Sequence, residues 1–166
     1  MVSHHWRWSL LLWFLAGCSQ QQAPLGPTEI SGLRERALEC LKLGISYEYL
    51  PTVRAYVVEA LQETTGDEAL PWMRHALLDE HPAVRFAAGV ALGTRRDELA
   101  APMIRKMLHS DQSSDRIAAC FALYRLGEAE RAADLATYLL DDVDPAVRAN
   151  AALVLGRMEE PGVKVP

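Results

Sequence analysis

Only three cysteines occur in the 166 residues, Cys18, Cys40 and Cys120, too few for a small domain stapled by disulfides. Basic charge is in deficit as well, 17 Lys and Arg against 22 Asp and Glu. With the first 17 residues set apart the balance becomes 16 against 22, a net −6. No surplus of Lys and Arg is left to displace counterions, which disfavours a nucleic-acid partner. The sequence carries no glycine-rich phosphate loop, no nucleophile elbow and no Ser-His-Asp set, so no catalytic residues are assigned. Beyond the first five residues the histidines are His75, His81 and His109, none three or four positions from another. Paired metal ligands at helical spacing are therefore missing, and neither metal nor cofactor is expected. No run alternates β-branched with polar residues, so strands are not expected either.

Tryptophan is equally scarce outside one place: Trp6, Trp8 and Trp13 lie in the first 13 residues and only Trp72 lies elsewhere. The same opening stretch runs from a weakly basic start (His4, His5, Arg7) through Leu10 to Ala16 and stops at Gly17-Cys18. This apolar run is well short of the ~20 residues that span a bilayer core, and it has the order of a secretory signal. Leu15, Ala16, Gly17 and Cys18 resemble the lipobox of bacterial lipoproteins. The resemblance implies that residues 1–17 are a signal peptide removed in the mature chain and that Cys18 carries the lipid. Several acyl chains, each contributing ~0.8 kcal/mol per buried CH₂, would hold it at the membrane. A plain signal peptide with an accidental cysteine, or a buried apolar helix, are the alternatives. Ser19 after the cysteine implies the outer membrane, facing the periplasm, if the cell envelope is Gram-negative. Residues 18–29 are uncharged up to Glu29 and lack an apolar period, so they are expected to form a flexible tether.

The rest of the chain repeats itself. Arg54, Arg85, Arg116 and Arg148 stand 31, 31 and 32 residues apart, each inside a similar segment such as His81-Pro82-Ala83-Val84-Arg85 or Asp144-Pro145-Ala146-Val147-Arg148. Leu77, Leu108 and Leu140 keep the same spacing, as do Pro71 and Pro102. A unit of two short helices fits this period. Three, six and seven positions after each arginine come Val57, Ala60, Leu61; Ala88, Ala91, Leu92; Ala119, Ala122, Leu123; and Ala151, Val154, Leu155. These share one face of a 3.6-residue helix and are expected to point inward. Pro51, Pro82 and Pro145 suit the first helical position, Asp144 can cap before Pro145, and Gly93, Gly127 and Gly156 are placed at or near helix ends. First helices are expected near 51–63, 82–93, 114–126 and 145–157, and second helices near 68–79, 97–109 and 129–141. A further helix over 30–43 is expected to turn Leu33, Ala37, Cys40 and Leu41 inward and to cap the N-terminal end.

The repeat is similar to HEAT repeats, in particular the type named after phycobilisome lyases, in which Val-Arg is followed by Ala-Ala and then Ala-Leu-Gly. Asp144 to Gly156 and Val84 to Gly93 are the nearest copies; the third departs by placing Asp115 where valine belongs. The resemblance implies an all-α, right-handed α-α solenoid of about four HEAT-like repeats, an armadillo/HEAT superhelix, over residues 30–158, with a flexible tail at 159–166. HEAT-like deoxyhypusine hydroxylases bind iron through His-Glu dipeptides, and here no histidine precedes a glutamate.

The arginine ladder, Arg54, Arg85, Arg116 and Arg148, could present guanidinium forks to an anionic partner, or could pair internally with Asp79, Glu80, Asp111, Asp141, Asp142 and Asp144 at neighbouring turns. The internal role is the one expected, because the repeat keeps this arginine whatever it binds. Cys40 and Cys120 are expected to be buried free thiols rather than a bridge. Solenoids offer an extended surface, so the expected role is a membrane-anchored scaffold or adaptor for a protein partner, with no catalysis of its own. Trp72, Arg74, Arg105, Lys106 and Tyr138 are the candidates for partner contact, with a core position the alternative for Trp72. An enzyme or enzyme accessory factor of the phycobilisome-lyase type is the rival reading. On the last first-helix, some of Val147, Ala151, Leu153, Val154 and Leu155 must face outward; the tail could cover them, or a partner could, including an end-to-end contact through the C-terminal repeat.

Overall fold

The computed structural model describes residues 26–46, 50–64 and 66–158. Leu15, Ala16, Gly17, Cys18, most of the expected tether and the 159–166 tail lie outside the described residues. The chain divides into two compact units, Met1–Arg34 and Glu35–Pro166. Among the described residues there are eight α-helices and one 3₁₀ turn and no strand. The helices are α1 (Pro27–Ile45), α2 (Pro51–Gln62), α3 (Leu70–Ala76), α4 (Pro82–Arg95), α5 (Ala101–Met107), α6 (Ser113–Arg125), α7 (Arg131–Asp141) and α8 (Pro145–Met158), with the 3₁₀ turn Glu98–Ala100 leading into α5.

Local chemistry explains most of the helix starts. Proline occupies the opening turn of α2, α3, α4 and α5, where its missing N–H forfeits no bond. His81 caps α4 by accepting the Ala83 amide on Nδ1 at 3.2 Å, and Asp144 Oδ1 accepts the Ala146 amide at 2.8 Å at the start of α8. Helix α1 begins at Pro27 rather than at residue 30, so residues 27–29 are helical and not tether. Glu29 stabilises that start by accepting the Gly26 amide at 2.8 Å, placing an acid where the exposed helical N–H groups are. The second helices α3 and α5 are seven residues each, shorter than the periodicity suggests.

Within Glu35–Pro166 the first helices α2, α4, α6 and α8 pack each on the next, and α3, α5 and α7 pack between consecutive ones as second helices. This is an all-α solenoid of helix pairs. The buried core runs through Val58 and Leu61 of α2, Val84, Ala88 and Leu92 of α4, Ile117, Phe121 and Leu123 of α6, and Ala151 and Val154 of α8. Met73, Ile104 and Leu135 enter it from the second helices. Ten of the twelve positions expected to point inward are buried; Leu155 is half-buried and Ala60 is exposed. Ala60 lies on the side of α2 opposite α4, and no earlier first helix exists among the described residues to cover it.

Helix α1 is rotated from the expected face. Leu38, Leu41 and Ile45 reach the core, whereas Leu33, Ala37 and Cys40 are exposed. The apolar positions of this helix form two stripes, and periodicity alone does not say which one the core takes. Gly44 permits close approach to α2, since a β-carbon there would lie 2.6 Å from Val57 Cγ2.

The glycines differ in role from the helix-end expectation. Gly127 does take a left-handed conformation, φ 109°, after α6. Gly93 is instead inside α4 and Gly156 inside α8. Gly93 faces α6 so closely that a β-carbon would lie 2.6 Å from Ala122 Cα, and one on Gly89 would lie 2.9 Å from Ala118 Cβ. The helix ends instead at Arg96, which adopts φ 52° despite its side chain. Gly93→Ala is expected to push α4 and α6 apart and lower stability by about 1–3 kcal/mol. By contrast Gly156→Ala, with nothing within 4 Å of the added carbon, is expected to raise it by up to about 1 kcal/mol through helix propensity. Urea unfolding followed by circular dichroism measures both; equal effects would contradict the assigned seam.

Candidate functional site

The most ordered polar feature is the arginine ladder, and its regularity comes from where the repeat puts it. Each arginine sits in the opening turns of a first helix, just after the turn that ends the preceding second helix. A guanidinium has five donors in a rigid fork, so one side chain can serve two structures at once.

One end of the fork reaches back to carbonyls left unpaired where a second helix ends. Arg85 Nη1 donates to the Asp79 and Glu80 carbonyls, both at 2.8 Å. Arg116 Nη1 donates to the Ser110 carbonyl at 2.7 Å, and Arg148 Nη1 to those of Asp142 and Val143 at 2.9 and 3.1 Å. The other end reaches forward along the chain, from Arg54 to the turn after α3, from Arg85 to the next first helix and from Arg116 to the second helix of its own pair. Arg54 Nε and Nη2 donate to Asp79 Oδ2 and Oδ1 at 2.7 and 2.8 Å. Arg85 Nε and Nη2 donate to Asp115 Oδ2 at 2.9 and 2.8 Å. Arg116 Nε donates to the Tyr138 hydroxyl at 2.9 Å, with the guanidinium carbon 5.7 Å from the ring centre.

Asp115 is the departure from the repeat pattern, and the structure gives it a purpose. It is 2% exposed in the valine position of α6, where Oδ2 also accepts the Ser110 hydroxyl at 2.7 Å. A carboxylate this deep needs a charged donor pair, and Arg85 of the preceding repeat supplies it.

A second ladder runs along the other helices. Arg74 Nε and Nη2 donate to Asp97 at 2.6 and 2.9 Å, and Arg105 Nε and Nη2 donate to Glu128 at 3.2 and 2.8 Å. Its signal was present in the sequence, because Arg74 and Arg105 are 31 apart and so are Asp97 and Glu128. Arg95 adds a further tie, donating to the carbonyls of Thr64 and Gly66 beyond the end of α2 and to Asp67.

These contacts locate the candidate partner residues. Arg74 is engaged with Asp97 and Tyr138 with Arg116. Trp72 is half-buried against the core, with Lys42 Nζ 5.9 Å from its ring centre. Arg105 and Lys106 are on the surface, Arg105 paired with Glu128. Both Cys40 and Cys120 are free, but only Cys120 is buried; Cys40 is exposed, because α1 turns its other stripe to the core. Burial, helped by the negative charge of Asp134, pushes the Cys120 thiol up to about 11, so it stays protonated and behaves as a small apolar group. Among the described residues no three His, Cys, Asp or Glu side chains come together as a metal site would require.

The ladder carboxylates are also perturbed. Burial pushes the Asp79 carboxyl up, but the Arg54 hydrogen bonds, the His81 amide and the Arg54 charge together hold it below the usual range. Glu128 is likewise lowered, the burial effect being outweighed by Arg105 and Arg131. A carboxyl whose folded pKa lies below its unfolded value stabilises the fold fully above the unfolded value, about 4, and loses that contribution as pH falls through the folded one. Thermal melts are expected to shift down as pH drops below about 4, with a shallower dependence in Asp79→Asn; an unchanged dependence would remove Asp79 from this role. For the buried pair, Asp115→Val is expected to cost about 1–3 kcal/mol by leaving the forward edge of Arg85 unpaired. Combined with Arg85→Met it should cost less than the two single changes added together, by about 1 kcal/mol or more. Additive losses in a double-mutant cycle would mean the pair is not coupled.

Comparison with known proteins agrees with this arrangement. The HEAT repeats family matches residues 45–124, from the end of α1 to the last turn of α6. No curated protein matches the sequence. Among solved structures, that of human deoxyhypusine hydroxylase in complex with glycerol is similar, 23% identical over 81% of this chain with a TM-score of 0.50. The matched part is 47% of the hydroxylase chain, so this chain spans about half of its length, and the likeness is one of fold.

Proposed function

We propose that this chain is a membrane-anchored HEAT-repeat scaffold that binds a protein partner at the bacterial cell envelope, without catalysis of its own. The observation that carries the reading is the division of labour in the side chains. The ladder residues Arg54, Arg85 and Arg116, together with Arg74, are committed to contacts inside the stack. What is left outward includes large apolar groups at or just after the ends of the second helices α3 and α7. Leu78 is 72% exposed, and Leu140, two periods later, is 75% exposed with Val143 beside it at 94%. Exposed side chains of this size flanked by Glu80, Asp141 and Asp144 suit contact with a protein surface of apolar and basic character. Anchoring is supported by the lipobox-like Leu15 to Cys18, and it would raise the effective concentration of the scaffold for partners at the same membrane.

Radiolabelled palmitate is expected to enter the wild-type chain and not Cys18→Ala; equal labelling would overturn the anchor. Cross-linking in intact envelopes followed by mass spectrometry is expected to recover a specific neighbour, with recovery reduced by Leu78→Glu and Leu140→Glu. Recovery of no specific neighbour, or recovery insensitive to both changes, would count against the partner surface.

A further inference from the structure

We propose that the stack of first helices continues between molecules: the open face of α8 in one copy receives the exposed face of α2 in the next, joining copies head to tail. The inference starts from the seam inside the chain. There α4 presents Gly89 and Gly93, and α6 meets them with Ala118, Phe121 and Ala122. The same register on α8, 63 residues later, is held by Ala152 and Gly156. Both are exposed, and nothing lies within 4 Å of a β-carbon added to Gly156. Ala149 and Leu153, the latter 48% exposed, widen this face.

The receiving register exists at the other end of the stack. Sixty-two residues before Ala118 and Ala122 stand Tyr56 and Ala60, and as far before Asp115 stands Val53. In α6 all three positions are buried against α4; in α2 Tyr56 is 69% exposed, Val53 36% exposed, and Ala60 is exposed. Terminal repeats of a solenoid ordinarily end on a polar face. Here the outer faces of α2 and α8 carry Val53, Tyr56, Ala60, Ala149, Ala152 and Leu153, with Glu59 in the register of Phe121, and so repeat in part the contact already made between α4 and α6.

Arg148 is in keeping with a further layer on α8. Arg85 uses Nε and Nη2 to hold Asp115 of the next first helix. Arg148 makes its backward contacts through Nη1, and among the described residues its Nε and Nη2 meet no partner. Arg148 thus keeps the edge with which Arg85 meets the next first helix.

A second copy is the occupant that these registers specify, because its α2 continues the α2-α4-α6-α8 series. Alanine in place of Gly89 and tyrosine in place of Ala118 make this contact wider than the internal seam, nearer the ordinary 8–10 Å between helix axes. The two surfaces differ, so the contact is heterologous and propagates instead of closing into a two-fold dimer. None of this depends on which external protein the scaffold binds.

Sedimentation velocity of the full chain in mild detergent, over about a hundredfold range of concentration, tests it. The wild type is expected to sediment faster as concentration rises. Leu153→Glu and Tyr56→Glu are each expected to remain monomeric, with far-UV circular dichroism unchanged because both side chains are exposed. An equimolar mixture of the two variants is expected to give a one-to-one dimer and nothing larger, since only one intact α8 face and one intact α2 face remain to meet. Ala152→Glu and Ala60→Glu replace either variant that fails to fold. A wild type that stays monomeric throughout, variants that assemble as the wild type does, or a mixture that fails to pair would each overturn the head-to-tail contact.

Discussion

The arginine that opens each first helix is the interaction on which the stack depends. Helix pairs of this length leave many backbone carbonyls without partners where they turn, and burying those turns against a neighbour would be costly. A two-ended guanidinium answers both problems. Arg85 and Arg116 terminate the preceding second helix through Nη1; through Nε, Arg85 holds Asp115 of the next first helix and Arg116 holds Tyr138 of its own second helix. One residue per repeat therefore ties a turn to the helices packed around it, and at Arg85 it also joins two layers. The carboxylates that receive it are correspondingly sheltered, Asp115 most of all, so charge here serves internal register more than surface recognition.

Close approach of the helices is the second constraint. Between α4 and α6 the seam is built from glycine against alanine, leaving no room for a β-carbon at Gly93. Tight contact of this kind gains dispersion over a large area at small cost in side-chain entropy. It also has directional consequences, because any helix presenting small residues in that register offers a place for another. The proposed contact between the outer faces of α2 and α8 would extend this series between copies.

Function in such an architecture is carried by what the repeats do not consume. Two ladders absorb Arg54, Arg74, Arg85, Arg105 and Arg116 into contacts between or across repeats, and burial keeps the Cys120 thiol protonated. The outward apolar groups at Leu78, Leu140 and Val143 have no such internal duty. A scaffold whose chemistry is spent on its own stacking and whose turns carry leucine is suited to recognition, and the proposed lipid anchor would confine that recognition to one membrane.

The 31-residue period, the all-helical class and the first-helix inward faces were legible in the sequence, because repetition multiplies a weak periodic signal and proline marks each start. The internal use of Arg54 was legible too, since Asp79 and Glu80 stand at the adjoining turn, whereas the forward partners of Arg85 and Arg116, Asp115 in α6 and Tyr138 in α7, were not among the acids expected. The ladder of Arg74 and Arg105 carried the same period but lay between segments whose similarity is fainter. What tertiary structure alone decided was orientation. Helix α1 has two apolar stripes, and only its packing showed that Leu38, Leu41 and Ile45 take the core while Cys40 stays outside. Gly93 reads as a helix end, yet it lies inside α4 because α6 comes within touching distance of its backbone. Asp115 breaks the repeat pattern as a sequence and completes it as a structure, because the charge it needs comes from a residue 30 positions away. Sequence determined which residues could be neighbours along one helix; contact between helices determined which of those faces were buried, since local periodicity carries no information about what lies opposite.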